Sequence, residues 1–327
     1  MYQEKGIYME NSSIYLKKEQ VKELNRLKQL VRKGIYPKSF VGEGMDGYIF
    51  KEKDTIYKLF KTSYDRSLEK NKNVLKAEDK IVENIKNVAK YAKEPHFIYY
   101  DSEGTKLTDE EALKRINEKQ SNVKKTSLPN IPIYNEFGFM IGFTTKYFSR
   151  SISIYNSVVP ICMPLKIRLK ICENLLKKYK ELYESDIFHV DLNLVPIDKY
   201  HGSNVLLTNL LNPEIIDLDG HSTIYFEKTN ISDLDVNKKY NNVKTKSLTS
   251  LSLLFLDIVT GEILDENMSE DDLMELIEYY KKYGFDSNFI DNVLNANVTN
   301  YNQVYDNYLR LVRKKIKYLN LSTFSFL

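Results

Sequence analysis

The chain predicts an α+β protein in two lobes, a β-rich first part and a mainly helical second part. Three observations carry that expectation. Strand and turn signals concentrate between residues 38 and 148. Helical periodicity dominates from residue 164 onward. A short hairpin pattern, with an amide at one end and a carboxylate at the other, interrupts the helical part. Strands first and helices later is the order of an α+β fold, not of alternating βα units. At 327 residues the chain is long enough to bury a large core and to divide in two.

Composition narrows the class further. Apolar residues make up 42% and charged residues 28%, the balance of an ordinary globular protein. A net charge of +3, with lysines interleaved among glutamates, does not by itself imply a nucleic-acid partner. The two cysteines, Cys162 and Cys172, fall in helical sequence and read as reduced thiols. The N-terminus has no apolar leader, and the longest apolar stretch, 251–259, is too short to span a bilayer and contains Ser252 and Asp257. The expectation is a cytoplasmic protein with neither a membrane nor a nucleic acid as partner.

The elements follow in order. Residues 1–37 read as a helical extension, with Leu24, Leu27 and Val31 at helical spacing inside 13–34. Residues 40–61 read as strand, glycine turn, strand, charged turn, strand. Residues 68–92 predict a long helix, with Val74, Ala77, Ile81, Ile85 and Val88 three or four apart. The polar stretch 101–128 reads as an exposed insertion or linker within a first lobe of 38–148. Strands are expected at 131–134 and 139–147, joined by the turn Asn135-Glu-Phe-Gly138. The second lobe, 149–327, opens with a helix that has Pro164 at its first position and Leu165, Leu169, Cys172, Leu176, Tyr179 and Tyr183 on one face. A hairpin over 204–217 comes next, and helices are expected at 248–259, 271–283 and 304–318.

Several residues carry chemistry in this layout. Asn204 and Asp217 stand at opposite ends of the hairpin. Two hard oxygen ligands on adjacent strand ends suit Mg²⁺, which leaves its remaining positions to water and substrate phosphates. Gly42-Glu-Gly44-Met-Asp-Gly47 is a phosphate-loop pattern, since glycines at a hairpin tip let backbone N–H groups approach phosphate oxygens. A Rossmann dinucleotide loop would need a helix after the third glycine, and here a strand with Ile49 follows. Lys58, in the apolar strand Ile56-Tyr-Lys-Leu-Phe60, is either an edge-strand solubility device or a phosphate-pairing lysine. Glu78 on the 68–92 helix is the preferred partner for it, ahead of Glu69 and Glu83. Asp191, in Phe188-His-Val-Asp191, could accept a proton from an attacking hydroxyl. His189 reads as a core histidine that orients this loop. Asp219 is either a second metal contact or a surface carboxylate.

In this order the pieces resemble the protein-kinase-like superfamily, across roughly residues 38–320. The segment 42–49 is similar to the family's G-x-G-x-x-G-x-V loop, with Ile49 at the valine position. Lys58 looks like the β3 lysine, Glu78 like the αC glutamate, His189-Val-Asp191 like the start of the H-R-D catalytic loop, Asn204 like the metal-binding asparagine and Asp217 like the D-F-G aspartate. Residues 250–261 are similar to the buried αF helix. The resemblance implies a bilobal kinase fold with a hinge near residues 147–151. It also implies ATP and Mg²⁺ in the cleft, and a hydroxyl-bearing acceptor, a protein Ser/Thr side chain ahead of a small molecule of the aminoglycoside or choline type; the alternative is an ATP-binding pseudokinase that acts as an interaction module. Departures are plain. Asp191 and Asn204 are thirteen residues apart, where the family pattern has five. That spacing makes Asp198 a rival base and 193–200 an inserted segment. Valine replaces the H-R-D arginine, D-L-D-G replaces D-F-G, no A-P-E occurs between 220 and 248, and Ser247 stands where αF usually has an aspartate.

Overall fold

A computed structural model describes residues 8–10, 13–43, 47–61, 95–124, 126–154, 163–192, 204–209, 211–227, 234–262 and 268–323. Over these the protein is mixed α+β, as the sequence predicts. Seven strands form one sheet: β1 (Tyr8–Glu10), β2 (Ser13–Tyr15), β3 (Phe40–Glu43), β4 (Gly47–Glu52), β5 (Thr55–Phe60), β7 (Pro132–Tyr134) and β8 (Met140–Lys146), in the order β1-β2-β7-β8-β5-β4-β3. The pairs β3–β4, β4–β5, β5–β8 and β7–β8 are antiparallel, and β2 joins β7 in parallel. Two small sheets follow, β10-β13-β6 and β12-β11-β9. Their strands are β6 (Ile98–Tyr100), β9 (Ile152–Ser153), β10 (Ile187–His189), β11 (Val205–Thr208), β12 (Asn212–Ile215) and β13 (Thr223–Phe226).

The described helices are α1 (Lys18–Arg32), α2 (Asp109–Lys119), α3 (Leu165–Glu184), α4 (Leu234–Thr260), α5 (Glu270–Tyr283), α6 (Ser287–Leu294) and α7 (Tyr301–Thr323). The apolar face expected of α3 is the one that packs. Leu169, Cys172, Leu176 and Tyr179 are buried in the main core, where they meet Leu251, Leu254, Phe255 and Ile258 of α4. Among the described residues no helix is long and apolar enough to cross a membrane.

Four expectations change. Residues 13–15 are a strand, not the first turn of a helix. Ile14 is buried, and Tyr15 stacks on Tyr134 with ring centroids 4.9 Å apart, so pairing with β7 outweighs local helix propensity. The stretch 101–128 is not an exposed linker. Thr108 and Glu111 cap α2 reciprocally, and Ala112, Leu113 and Ile116 pack into the main core together with Val123 and Leu128. Its dense surface charge hides a narrow apolar stripe. Pro164 is the N-cap of α3, one residue outside the expected place, with its carbonyl accepting from Ile167 N–H at 2.8 Å. Finally, α4 begins well before residue 248, and α6 was not foreseen. The expected helix at 68–92, with Glu78, lies outside the described residues, as does Cys162.

Candidate active site

Lys58 enters from the middle of β5. Its direct neighbours across the sheet are Ile49 on β4 and Phe143 on β8. In an antiparallel sheet opposed residues share a face, so Lys58 lies on the side of Phe143, Phe60 and His96. Gly47 makes room for it. A Cβ there would sit 2.9 Å from the Leu59 carbonyl oxygen and 3.2 Å from Lys58 Cγ. Gly142 on β8 is tighter still, since its Cβ would lie 2.3 Å from the Lys58 carbonyl oxygen. Both glycines allow a close approach of strands that fixes the lysine stem. Around Gly42, by contrast, a Cβ would meet nothing within 4 Å among the described residues, so their packing makes no demand for glycine there. Gly44 is outside the described residues.

The Lys58 ammonium meets two carboxylates. Nζ lies 2.5 Å from Asp217 Oδ1 and 2.8 Å from Asp219 Oδ1. Burial disfavours the ammonium, but Asp219 and Asp217 outweigh it and hold the lysine above its ordinary value. Asp219 behaves in mirror image. Burial opposes its charge, yet Lys58 and a contact of 2.5 Å to His96 Nε2 keep it well below the usual carboxylate range. At 3% exposure Asp219 is no surface carboxylate. His96 is held by rings, stacked on Phe60 at 4.1 Å and edge-on to Phe97. No spacing in the sequence pointed to His96, because its partner is 123 positions away.

Asp217 follows the β11–β12 hairpin and takes a left-handed backbone, φ +60°, a conformation that aspartate tolerates better than most residues at a cost of about 1 kcal/mol. Ser222 Oγ donates to its Oδ2 at 3.1 Å and Thr223 Oγ1 to its carbonyl at 3.3 Å. The next turn is fixed by Tyr225, whose buried hydroxyl donates to the Leu218 carbonyl at 2.5 Å.

At the other hairpin end, the Asn204 carbonyl accepts from Ile216 N–H at 2.9 Å. Its Nδ2 donates to the Asp191 carbonyl at 2.8 Å and to Asp191 Oδ2 at 2.9 Å. Both partners are acceptors, which fixes the amide orientation and leaves Asn204 Oδ1 as an acceptor. Asp191 is exposed; its N–H donates to His189 Nδ1 at 3.1 Å, while His189 Nε2 lies 3.1 Å from the Ile216 carbonyl. A nitrogen that accepts on one side and a donor on the other define the neutral Nε2–H tautomer. Burial agrees and pushes His189 below its ordinary value. The histidine thus orients the loop from the core, as expected.

Helix α4 anchors the same loop. Ser247 Oγ donates to the His189 carbonyl at 2.6 Å and contacts the Tyr179 hydroxyl; Ser250 Oγ accepts from Leu192 N–H at 2.7 Å. A buried ion pair, Lys178 Nζ to Glu214 Oε2 at 2.5 Å, ties α3 to β12 and so steadies the hairpin.

Of the residues singled out in the sequence, Lys58 and Asp217 are in contact, and so are Asp191 and Asn204. Asp198 lies outside the described residues. Asn204 Oδ1 and the Asp217 carboxylate are hard oxygen donors, a chemistry that suits Mg²⁺ and not a soft metal. Among the described residues no group of three or more His, Cys, Asp or Glu is arranged to hold a metal by itself. No protein-family model matches the chain, and no curated protein matches it.

Proposed function

We propose that the protein is an ATP- and Mg²⁺-dependent phosphotransferase with a bilobal kinase-like fold, transferring the γ-phosphoryl group to a hydroxyl. The observation that carries this reading is the contact between a sheet lysine and a post-hairpin aspartate, Lys58 and Asp217 at 2.5 Å. Supporting it, Gly42 lies on β3 and Gly47 opens β4, where it pairs with Phe60 of the lysine strand. Asn204 also bonds Asp191 at the mouth of the same hairpin.

In this reading Lys58 is a fixed positive charge for the phosphates, pre-positioned by β4 and β8. Asn204 and Asp217 would hold Mg²⁺, which when bound neutralises phosphate charge. Asp191, exposed and held by Asn204, orients the acceptor hydroxyl and takes its proton. Such a site works by positioning and by charge stabilisation.

The acceptor is a protein Ser/Thr hydroxyl in the first instance. One observation favours a small-molecule acceptor instead. The segment after Asp217 runs straight into β13, buried between β10 and β6, and α4 starts at Leu234. That span offers little length for an open peptide shelf.

The test is γ-phosphoryl transfer from ATP with Mg²⁺, scored on the protein itself, on a generic protein substrate and on a pool of hydroxylated metabolites. Wild type is compared with Asp217→Ala, Asp191→Asn and Asp198→Asn. Transfer lost in the first two and kept in the third supports the reading. ATP binding with no transfer to any acceptor would overturn the enzymatic part of it.

A further inference from the structure

His96 stands just before β6, and no step of the proposed transfer uses it. Its side chain is only 8% exposed. The ring stacks on Phe60 at 4.1 Å, meets Phe97 edge-on at 5.6 Å and lies 6.2 Å from Phe143. Phe60 follows Lys58 by two on β5, and Phe143 is the cross-strand neighbour of Lys58, so the imidazole is anchored on the lysine's own strands. The backbone is tied from behind: Phe97 N–H donates to Asp109 Oδ1 at 2.7 Å, in the first turn of α2. This packing aims Nε2 at Asp219 Oδ2, 2.5 Å away. An ionised carboxylate only accepts, so Nε2 carries the proton and donates.

Asp219 in turn holds the lysine. Lys58 Nζ lies 2.8 Å from each oxygen of Asp219 and 2.5 Å from Asp217 Oδ1. In the phosphotransferase reading Asp217 is committed to the metal, which leaves Asp219 as the buried carboxylate that keeps the ammonium in place. A lysine is a point charge on a flexible four-carbon stem and cannot orient its own partner. A ring wedged between aromatic side chains can. The order of support therefore runs from the β6–α2 segment to His96, from His96 to Asp219 and from Asp219 to Lys58.

We propose that His96 is a positioning residue for phosphoryl transfer: it locks the Asp219 carboxylate and, through it, holds the Lys58 ammonium where the phosphates of ATP meet it. This rests on the phosphotransferase reading above. As the bond from Pγ to the ADP oxygen breaks, the acceptor oxygen bonds Pγ, the acceptor proton passes to Asp191 and negative charge grows on ADP. Lys58 meets that charge, and a misplacement of about 1 Å costs on the order of a hundredfold in rate. His96 touches no reacting atom and acts only through Asp219.

Wild type, His96→Phe, His96→Gln, Asp219→Asn and His96→Phe/Asp219→Asn are compared as full chains with Mg²⁺ and γ-labelled ATP. Transfer is scored on the protein itself, on casein and as released phosphate, at a temperature where unfolding curves show each variant folded. His96→Phe keeps the stacking and removes the donor. It should lower kcat at least about tenfold, with KM for ATP raised less than about threefold, because the charge concerned develops only in the transition state. His96→Gln loses the ring but returns a donor at similar reach, and should recover most of that rate. A merely structural histidine would give the reverse order, since phenylalanine preserves the packing. In the Asp219→Asn background, His96→Phe should cost less than about twofold more, as for residues that act as a unit. NMR of wild type with nitrogen-labelled histidine, which needs no His96 variant to fold, should show an exchange-protected Nε2–H that shifts in Asp219→Asn. With wild type active, four results overturn the positioning role and leave the phosphotransferase reading standing: an unchanged kcat in His96→Phe, a slower Gln than Phe variant, additive losses in the double variant, or no protected Nε2–H. A wild type that transfers phosphate to no acceptor overturns both.

Discussion

Replacing Asp219 by asparagine keeps the shape of the side chain and removes one negative charge from the buried cluster around Lys58. At 2.8 Å the attraction of that carboxylate for the ammonium is about 6 kcal/mol with an effective dielectric near 20. Desolvation of the two ions, several kcal/mol each, offsets much of it. Breaking a buried pair by removing one partner costs about 3–5 kcal/mol. The lower end, about 3 kcal/mol, is expected here, because Asp217 stays at 2.5 Å and the asparagine oxygen can still accept. Urea unfolding at neutral pH measures the loss. The pH dependence isolates its origin. Asp219 titrates lower when folded than its unfolded value of about 3.9, so its contribution is present above that pH and is lost as pH falls below it. Wild type should therefore shed up to about 1.4 kcal/mol per pH unit below pH ~4 that Asp219→Asn does not. Lys58, held above its ordinary value, contributes in the opposite sense: its stabilisation is complete below about pH 10.4 and is lost at still higher pH. A variant within about 1 kcal/mol of wild type at pH 7, with the same acid slope, would refute the electrostatic account of this cluster.

His189, neutral and buried, resists the proton that its unfolded form takes up near pH 6.5, so wild-type stability should fall as pH drops below that value, and His189→Gln should lack this slope in the same unfolding series. Gly142→Ala places a methyl against the Lys58 carbonyl and should cost about 1–3 kcal/mol while weakening ATP binding in a fluorescence titration; Gly42→Ala, with open space around it among the described residues, should stay within about 0.5 kcal/mol. Lys178→Met should cost about 3–5 kcal/mol by stranding Glu214, and Lys178→Met/Glu214→Leu should recover most of that in chemical denaturation. A double variant as unstable as the single one would mean that the pair is not what ties α3 to the hairpin.

Local signals were legible wherever a short-range rule decides the outcome. The charged turn expected at 51–54, which is tighter in the structure because β4 runs on to Glu52, the turn at 135–138, the α3 stripe and the hairpin between Asn204 and Asp217 are written in charged, glycine and asparagine residues and in apolar spacing, and the strands and helix formed close to where that spacing put them. The stretch 101–128 was misjudged because composition averages over a segment, whereas burial needs only three well-placed apolar residues, here Ala112, Leu113 and Ile116. Residues 13–15 were misjudged because a three-residue strand has too little period to announce itself and depends on β7 for its pairing.

The sequence alone determined the mixed α+β character, the place of Lys58 on a strand and the opposition of Asn204 to Asp217 across a hairpin, because each rests on contacts within about a dozen residues. Tertiary structure alone decided that Asp219 is buried against Lys58 and His96, that Asn204 reaches Asp191, and that Ser247 and Ser250 hold the 189–192 loop. The partners in the Asp219 cluster are 161 and 123 positions apart, those of the two serines 58. At such separations pairing is set by how the sheet, the hairpin and α4 pack around a shared core, and no local pattern of residues encodes that.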